Sequence, residues 1–210
     1  MTITHLASRA AGALLLALGC SACAGAPSPK PVNHYFADAR EVEAVRRVMV
    51  LPFDTDAAPS ADGRMVRSAF LQELAKVQAF EVVPLPDGAE HDERIYESWR
   101  HGRLSSEALV ELGRRYQLDG VLMGTVTSYR PYLPPHMGLR VQLVSLHSGA
   151  TVWAADAHYD ASEALTIEDL RHYQGSAMAT EATLHGHEIN LISPRRFVAY
   201  VCYRMVSTWR

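Results

Sequence analysis

The side chains able to do chemistry are scattered, and the densest group is His185-Gly186-His187-Glu188 in a chain with ten histidines. An H-x-H pair is half of a zinc site, because zinc takes four ligands from Cys, His and carboxylates. No H-E-x-x-H run or cysteine pair completes the set, so an exposed polar loop is expected, with no metal and no cofactor. Gly175-Ser176 lacks the G-x-S-x-G frame that strains a nucleophilic serine into reach. Asp119-Gly120 is read as a helix-to-strand turn, where Asp bonds local amides and Gly relieves the backbone. Tyr96 and Trp99 sit in a polar stretch and serve either as core cover or as an interface anchor. Arg195 and Arg196 open the last helix, where positive charge opposes the macrodipole by a few tenths of a kcal/mol. A partner or an anionic lipid would favour them there, although plain solvent exposure accounts for them more simply. No catalytic residue is predicted.

The amino terminus is more informative. A short opening with one positive charge, Arg9, precedes the apolar run Ala10–Leu18, and small residues follow. That is the layout of a secretory signal. Nine helical residues rise only about 14 Å against a hydrocarbon core of roughly 30 Å, too little to span a membrane. Two cleavages are open. Ala22-Cys23-Ala24 fits ordinary small-x-small processing, which leaves a soluble product. Ala17-Leu18-Gly19-Cys20 resembles the lipobox of bacterial lipoproteins, with Ala17 where Leu is commoner, and implies that Cys20 is acylated and becomes the first residue. Cys20 is the expected lipid-attachment site. By the same resemblance, Ser21 after the cysteine implies export to the outer membrane. Pro27, Pro29 and Pro31 then make the following stretch an extended, semi-stiff tether. The expected organisation is a lipoprotein signal peptide at 1–19, a lipidated Pro-rich tether at 20–33 and one globular domain at 34–210.

Composition supports one domain: 210 residues with 48% hydrophobic and 20% charged bury a single core well. The net charge is −3, and loss of Arg9 with the signal takes it to −4. A nucleic-acid partner is excluded, since such a domain carries a basic excess. The third cysteine, Cys202, lies on an apolar helix and is expected to be a reduced core residue.

Local patterns place the elements. Arg47–Phe53 reads as a buried strand closed by Pro52. Between Asp62 and Val77 the apolar residues Val66, Phe70, Leu74 and Val77 recur at helical spacing, with Arg64, Arg67 and Glu73 assigned to the opposite face. Phe80–Leu85 is a second strand, parallel to the first. A short helix is expected around Asp92–Trp99. Ser105 caps a helix reaching Tyr116 with Ala108, Leu109, Leu112 and Tyr116 on one face. A strand follows from Gly120, and an antiparallel hairpin turns at His147-Ser148-Gly149-Ala150. Helix is expected from beyond Asp160 to about Thr183. Ser193-Pro194 then starts a last helix with Phe197, Val201 and Met205 inward. The fold class is α/β: a single domain with a mixed sheet in the order β-α-β-α-β-β-β, packed helices and a C-terminal helix.

Four stretches resemble a family of bacterial envelope lipoproteins. They are ValMetValLeuProPhe at 48–53, PheGluValValPro at 80–84, AspGlyValLeuMetGlyThrVal at 119–126 and SerGlyAlaThrValTrp at 148–153. The family is similar to the curli-export lipoprotein and to the amino-terminal domain of the Tol-system periplasmic protein. It includes lipoproteins of polysaccharide export and of cell-wall synthase activation. The resemblance covers residues 46–156, with Asp54 where Asn is frequent. No pair of long alternating hairpins suited to a membrane barrel is evident, so the curli channel's pore is not implied. The resemblance implies an outer-membrane-anchored, non-enzymatic domain that faces the periplasm and assembles with itself or with envelope partners of an export or surface-polymer system. The alternative class is a periplasmic hydrolase or metal-dependent enzyme that uses the histidine-rich C-terminal half.

Overall fold

The computed structural model describes residues 29–86, 105–177 and 191–209. Cys20, Cys23, Tyr96, Trp99 and His185–Glu188 lie outside the described residues, as do the expected helix around Asp92–Trp99 and the helix beyond residue 177. The side chains of Gly175 and Ser176 do so as well.

Six strands form one sheet in the order β1-β6-β5-β4-β2-β3. They are β1 Asn33–Phe36, β2 Arg47–Val50, β3 Glu81–Val83, β4 Gly120–Arg130, β5 His136–Ser145 and β6 Thr151–Asp160. The helices are α1 Ala39–Ala44, α2 Gly63–Val77, α3 Ser106–Tyr116, α4 Ala164–Ala177 and α5 Pro194–Val206, with a closing 3-10 turn at Ser207–Trp209. The α/β class, the mixed sheet and the C-terminal helix are as the sequence predicts. Strand β2 pairs parallel with both β3 and β4, while β4, β5, β6 and β1 run antiparallel in turn. Strand pairing through the first motif outlasts its regular part, because the Asp54 amide reaches the Gly124 carbonyl at 2.8 Å after the break at Pro52.

Helices α2 and α5 pack on one face of the sheet. Val66, Phe70 and Leu74 of α2 are buried, as are Phe197, Val201 and Met205 of α5, against Val48, Leu122, Leu139, Val141 and Trp153. A buried Val, Leu or Phe contributes about 1.5–3 kcal/mol. The apolar stripe therefore holds α2 more firmly than its cap, Asp62, whose carboxylate accepts from the amides of Arg64 and Met65 and is worth about 1 kcal/mol. Phe53 lies across Gly124, where a Cβ would come within 2.6 Å of ring carbons, so only glycine permits this approach. On the opposite face, α3 seals a second cluster: Leu112 is buried against Met49, Leu51, Val121, Met123 and Val144. Ser105 caps α3 through the Ala108 amide.

Several details differ from the sequence expectation. Strand β1 and helix α1 were not anticipated; Asn33-His34-Tyr35-Phe36 is mostly exposed and forms as an edge by pairing with β6. Glu73, assigned to the solvent face of α2, is only 5% exposed and is paired with Lys76 at 2.6 Å. Arg67 also turns inward, its Nε donating to the Val50 carbonyl at 2.9 Å. Ser193 occupies the cap position of α5 without a side-chain cap hydrogen bond, and Pro194 supplies the start. Strands β4, β5 and β6 do form a long antiparallel meander, of 11, 10 and 10 residues. Their apolar side is covered by α2 and α5 rather than facing outward.

The sheet curves enough that both of its edges share one side chain. Trp209 packs at 5.0 Å (centroid to centroid) from Phe36 of β1 and at 5.4 Å from Phe80, one residue before β3. Trp153 lies 5.4 Å from the same indole and donates its own N–H to the Thr208 hydroxyl.

Candidate interaction surfaces

Of the groups weighed for chemistry in the sequence, Asp119 serves as a structural tie. The Asp119 carboxylate accepts the amides of Arg46 and Arg47 at 3.1 and 2.9 Å. Its backbone pairs with the Arg47 carbonyl and the Leu146 amide, and its other carboxylate oxygen lies 3.2 Å from His147 Nε2. One residue thus ties β2, β4 and the β5–β6 turn. Partial burial pulls the Asp119 carboxyl upward, but the amides of Arg47 and Arg46 and the His147 imidazole outweigh this and hold it below the usual range. The turn expected at Asp119-Gly120 is there, with more bonds than a turn alone requires.

His136 and His158 lie side by side on the outer face of the sheet with ring centroids 5.5 Å apart. Burial, helped by Arg130 and His158, pulls the His136 imidazole below its ordinary value. Among the described residues no three or more His, Cys, Asp or Glu side chains are grouped to hold a metal. Cys202 is a free, fully buried cysteine. Burial, reinforced by Glu73, raises its thiol far above the ordinary range, and its Sγ approaches the Val66 carbonyl at 3.8 Å. Arg195 and Arg196 stand in the first turn of α5, and Arg196 has a partner in the domain.

The most organised polar cluster in the interior escaped the sequence analysis. Asp169 of α4 is 4% exposed. It accepts from the Tyr200 hydroxyl at 2.9 Å and pairs with Arg204 Nε at 2.9 Å. Arg204 also reaches the Tyr159 hydroxyl, and its Nη2 donates to the Lys30 carbonyl at 2.8 Å. Burial pushes the Tyr159 hydroxyl up to about 12, so it stays protonated. Lys30 belongs to this cluster too: its ammonium pairs with Glu163 and sits 5.2 Å above the Tyr159 ring. The last residues of the Pro-rich stretch are therefore bolted to the domain at the end of the sheet where β6 stops. Three polar residues at helical positions otherwise filled by apolar ones would have been the only sequence signal.

That same end carries the β4–β5 connection. Arg130 Nε donates to the Pro134 carbonyl at 2.8 Å, and the Ala161 amide donates to the Pro135 carbonyl at 2.9 Å. Beyond these ties Tyr132 and Leu133 project, 80% and 65% exposed. Leu165, at the start of α4, is 64% exposed. Elsewhere the outer side of β1, β6 and β5 offers a shallow depression lined by Asn33, Tyr35, Arg140, Ala154 and Asp156, with Arg140 and Asp156 paired at 2.6 Å.

The sequence matches no family model and no curated protein. Solved structures with a similar course of chain include a PelC dodecamer from Paraburkholderia phytofirmans, 19% identical over 65% of this chain and 86% of that one, with a TM-score of 0.43. Lipoprotein GNA1162 from Neisseria meningitidis is 16% identical over 57% of this chain and 86% of that one, with a TM-score of 0.39. The LpoB C-terminal domain from Escherichia coli is 14% identical over 58% of this chain and 86% of that one, with a TM-score of 0.41.

Proposed function

We propose that this chain is a lipid-anchored protein of the bacterial envelope whose α/β domain works by binding other proteins, or further copies of itself, rather than by catalysis. Acylated Cys20 holds it to the outer membrane facing the periplasm, where it serves as an assembly component of an export or surface-polymer system. The observation that carries this reading is the succession of an apolar run ending at Leu18, a lipobox-like Ala17-Leu18-Gly19-Cys20 and a proline tether. The four strand motifs that resemble the curli-export and Tol-system family support the assembly role.

Light scattering on the full chain extracted in mild detergent tests the assembly role. A mass of several protomers, or co-purification with an envelope protein in fixed ratio, is expected. A strict monomer holding stoichiometric zinc would overturn it in favour of a metal enzyme.

A further inference from the structure

We propose that Tyr132 and Leu133, at the tip of the β4–β5 connection, dip into the headgroup layer of the membrane that holds the chain. The inference rests on acylation of Cys20. Strand β1 runs antiparallel to β6 with Asn33 opposite Asp156, so the chain before it runs toward the Asp160 end of the sheet. The contacts of Lys30 with Tyr159 and Glu163 fix it there. The tip is fastened to that same end through Arg130 and Asp160, 3.8 Å apart, and through the Ala161 amide to Pro135. Lys30, where the tether joins the domain, and the exposed adjacent side chains Tyr132 and Leu133 thus stand at the same end of the sheet.

Distance makes the meeting practicable. Only nine residues lie between Cys20 and Lys30, and the ten steps reach at most about 36 Å. Strand β5, ten residues long, spans roughly 33 Å, so the Ser148 turn at the far end stands that much further out. Chemistry fits a lipid surface better than a protein groove. The run Arg130-Pro-Tyr-Leu-Pro-Pro-His136 contains no carboxylate. Tyr places an apolar ring and a polar hydroxyl at the level where bilayers favour them, and Leu goes deeper. Arg130 stands at the rim, 44% exposed, where an anionic headgroup is an acceptable neighbour. Leu165 adds a third exposed apolar group at this end.

The test uses the full-length protein carrying Cys23→Ser with Leu133→Cys, purified from membranes and reconstituted in vesicles of phosphatidylethanolamine and phosphatidylglycerol. A fluorophore is attached to the new thiol, and a Ser148→Cys twin serves as the reference. Cys202 is buried and stays unlabelled. At position 133 a nitroxide-bearing lipid should quench the emission and aqueous iodide should not, with the reverse at 148. Quenching by iodide at 133 equal to that at 148 would overturn the proposal, as would shielding from both quenchers, which would mean that a second copy covers the tip. Mass analysis of the same sample separates the two levels. A chain without acyl groups, labelled at Cys20, overturns the anchoring reading and the tip with it, whereas an acylated chain with a water-exposed 133 overturns the tip alone.

Discussion

Arg204 and Asp169 face each other inside the domain, Nε to Oδ2 at 2.9 Å, with side chains 12% and 4% exposed. A buried pair adds little net stability over an apolar replacement, yet removing one partner strands the other and costs about 3–5 kcal/mol. Asp169→Asn should therefore lower the melting temperature by roughly 10 °C, at about 2–4 °C per kcal/mol for a domain of this size. Asp169→Leu combined with Arg204→Met should recover part of that loss, the remainder reflecting the Tyr200 hydroxyl and the Lys30 carbonyl left without their partners. Calorimetry on the single and double variants decides it; a double variant no better than the single one would mean that the cluster acts through Lys30 and Tyr159 instead.

Phe70 lies fully buried on α2, 5.5 Å from the Phe53 ring that covers Gly124. Its truncation to Ala removes an anchor shared by helix and sheet, for about 3–5 kcal/mol. Chemical denaturation should show a lower midpoint with an unchanged slope. Parental stability would place the helix face elsewhere.

Most of the fold was legible because its signals are local. The stripe Val66–Phe70–Leu74, the caps Asp62 and Ser105 and the β-branched run after Gly120 each state their element within a dozen residues. What was not legible is long-range. Nothing in Asn33–Phe36 marks a strand until β6 is beside it, and Glu73 shows no reason to be buried until α5 packs across α2. The Lys30–Glu163 and Asp169–Arg204 pairs join residues far apart in sequence, so no periodicity points to them. The turn between β4 and β5 is not anticipated by the sequence reading, and its place at the same end of the sheet as Lys30 follows only from strand register.

Asp119→Ala should unfasten β2 from the β5–β6 turn, leaving the Arg46 and Arg47 amides without their acceptor at a cost of about 1–3 kcal/mol. The folded carboxyl titrates below its ordinary value of 3.8. Its contribution is thus complete above that value and is lost as pH falls through the lower folded one. Urea titrations at pH 7 and pH 3 should show a gap between parent and variant at pH 7 that narrows at pH 3. A gap that widens with acid would refute the assignment.

Cys202 should be inert in the folded protein, since burial keeps the thiol protonated and the thiolate is the reactive form. A small maleimide should label it only in denaturant. A Cys23–Cys202 disulfide in a peptide map of unreduced protein would contradict this.

The proposed membrane anchoring rests on acylation of Cys20. Three acyl chains there, each buried CH₂ contributing roughly 0.8 kcal/mol, would anchor far more durably than the marginal hold of one myristoyl chain. Cells fed labelled fatty acid and expressing the parent, Cys20→Ser or Cys23→Ser give the most direct measurement. The parent and Cys23→Ser should carry label and sediment with membranes, while Cys20→Ser carries none and accumulates as unprocessed precursor. Loss of label in Cys23→Ser alone, or an unlabelled mature chain beginning at Gly25, would contradict the account.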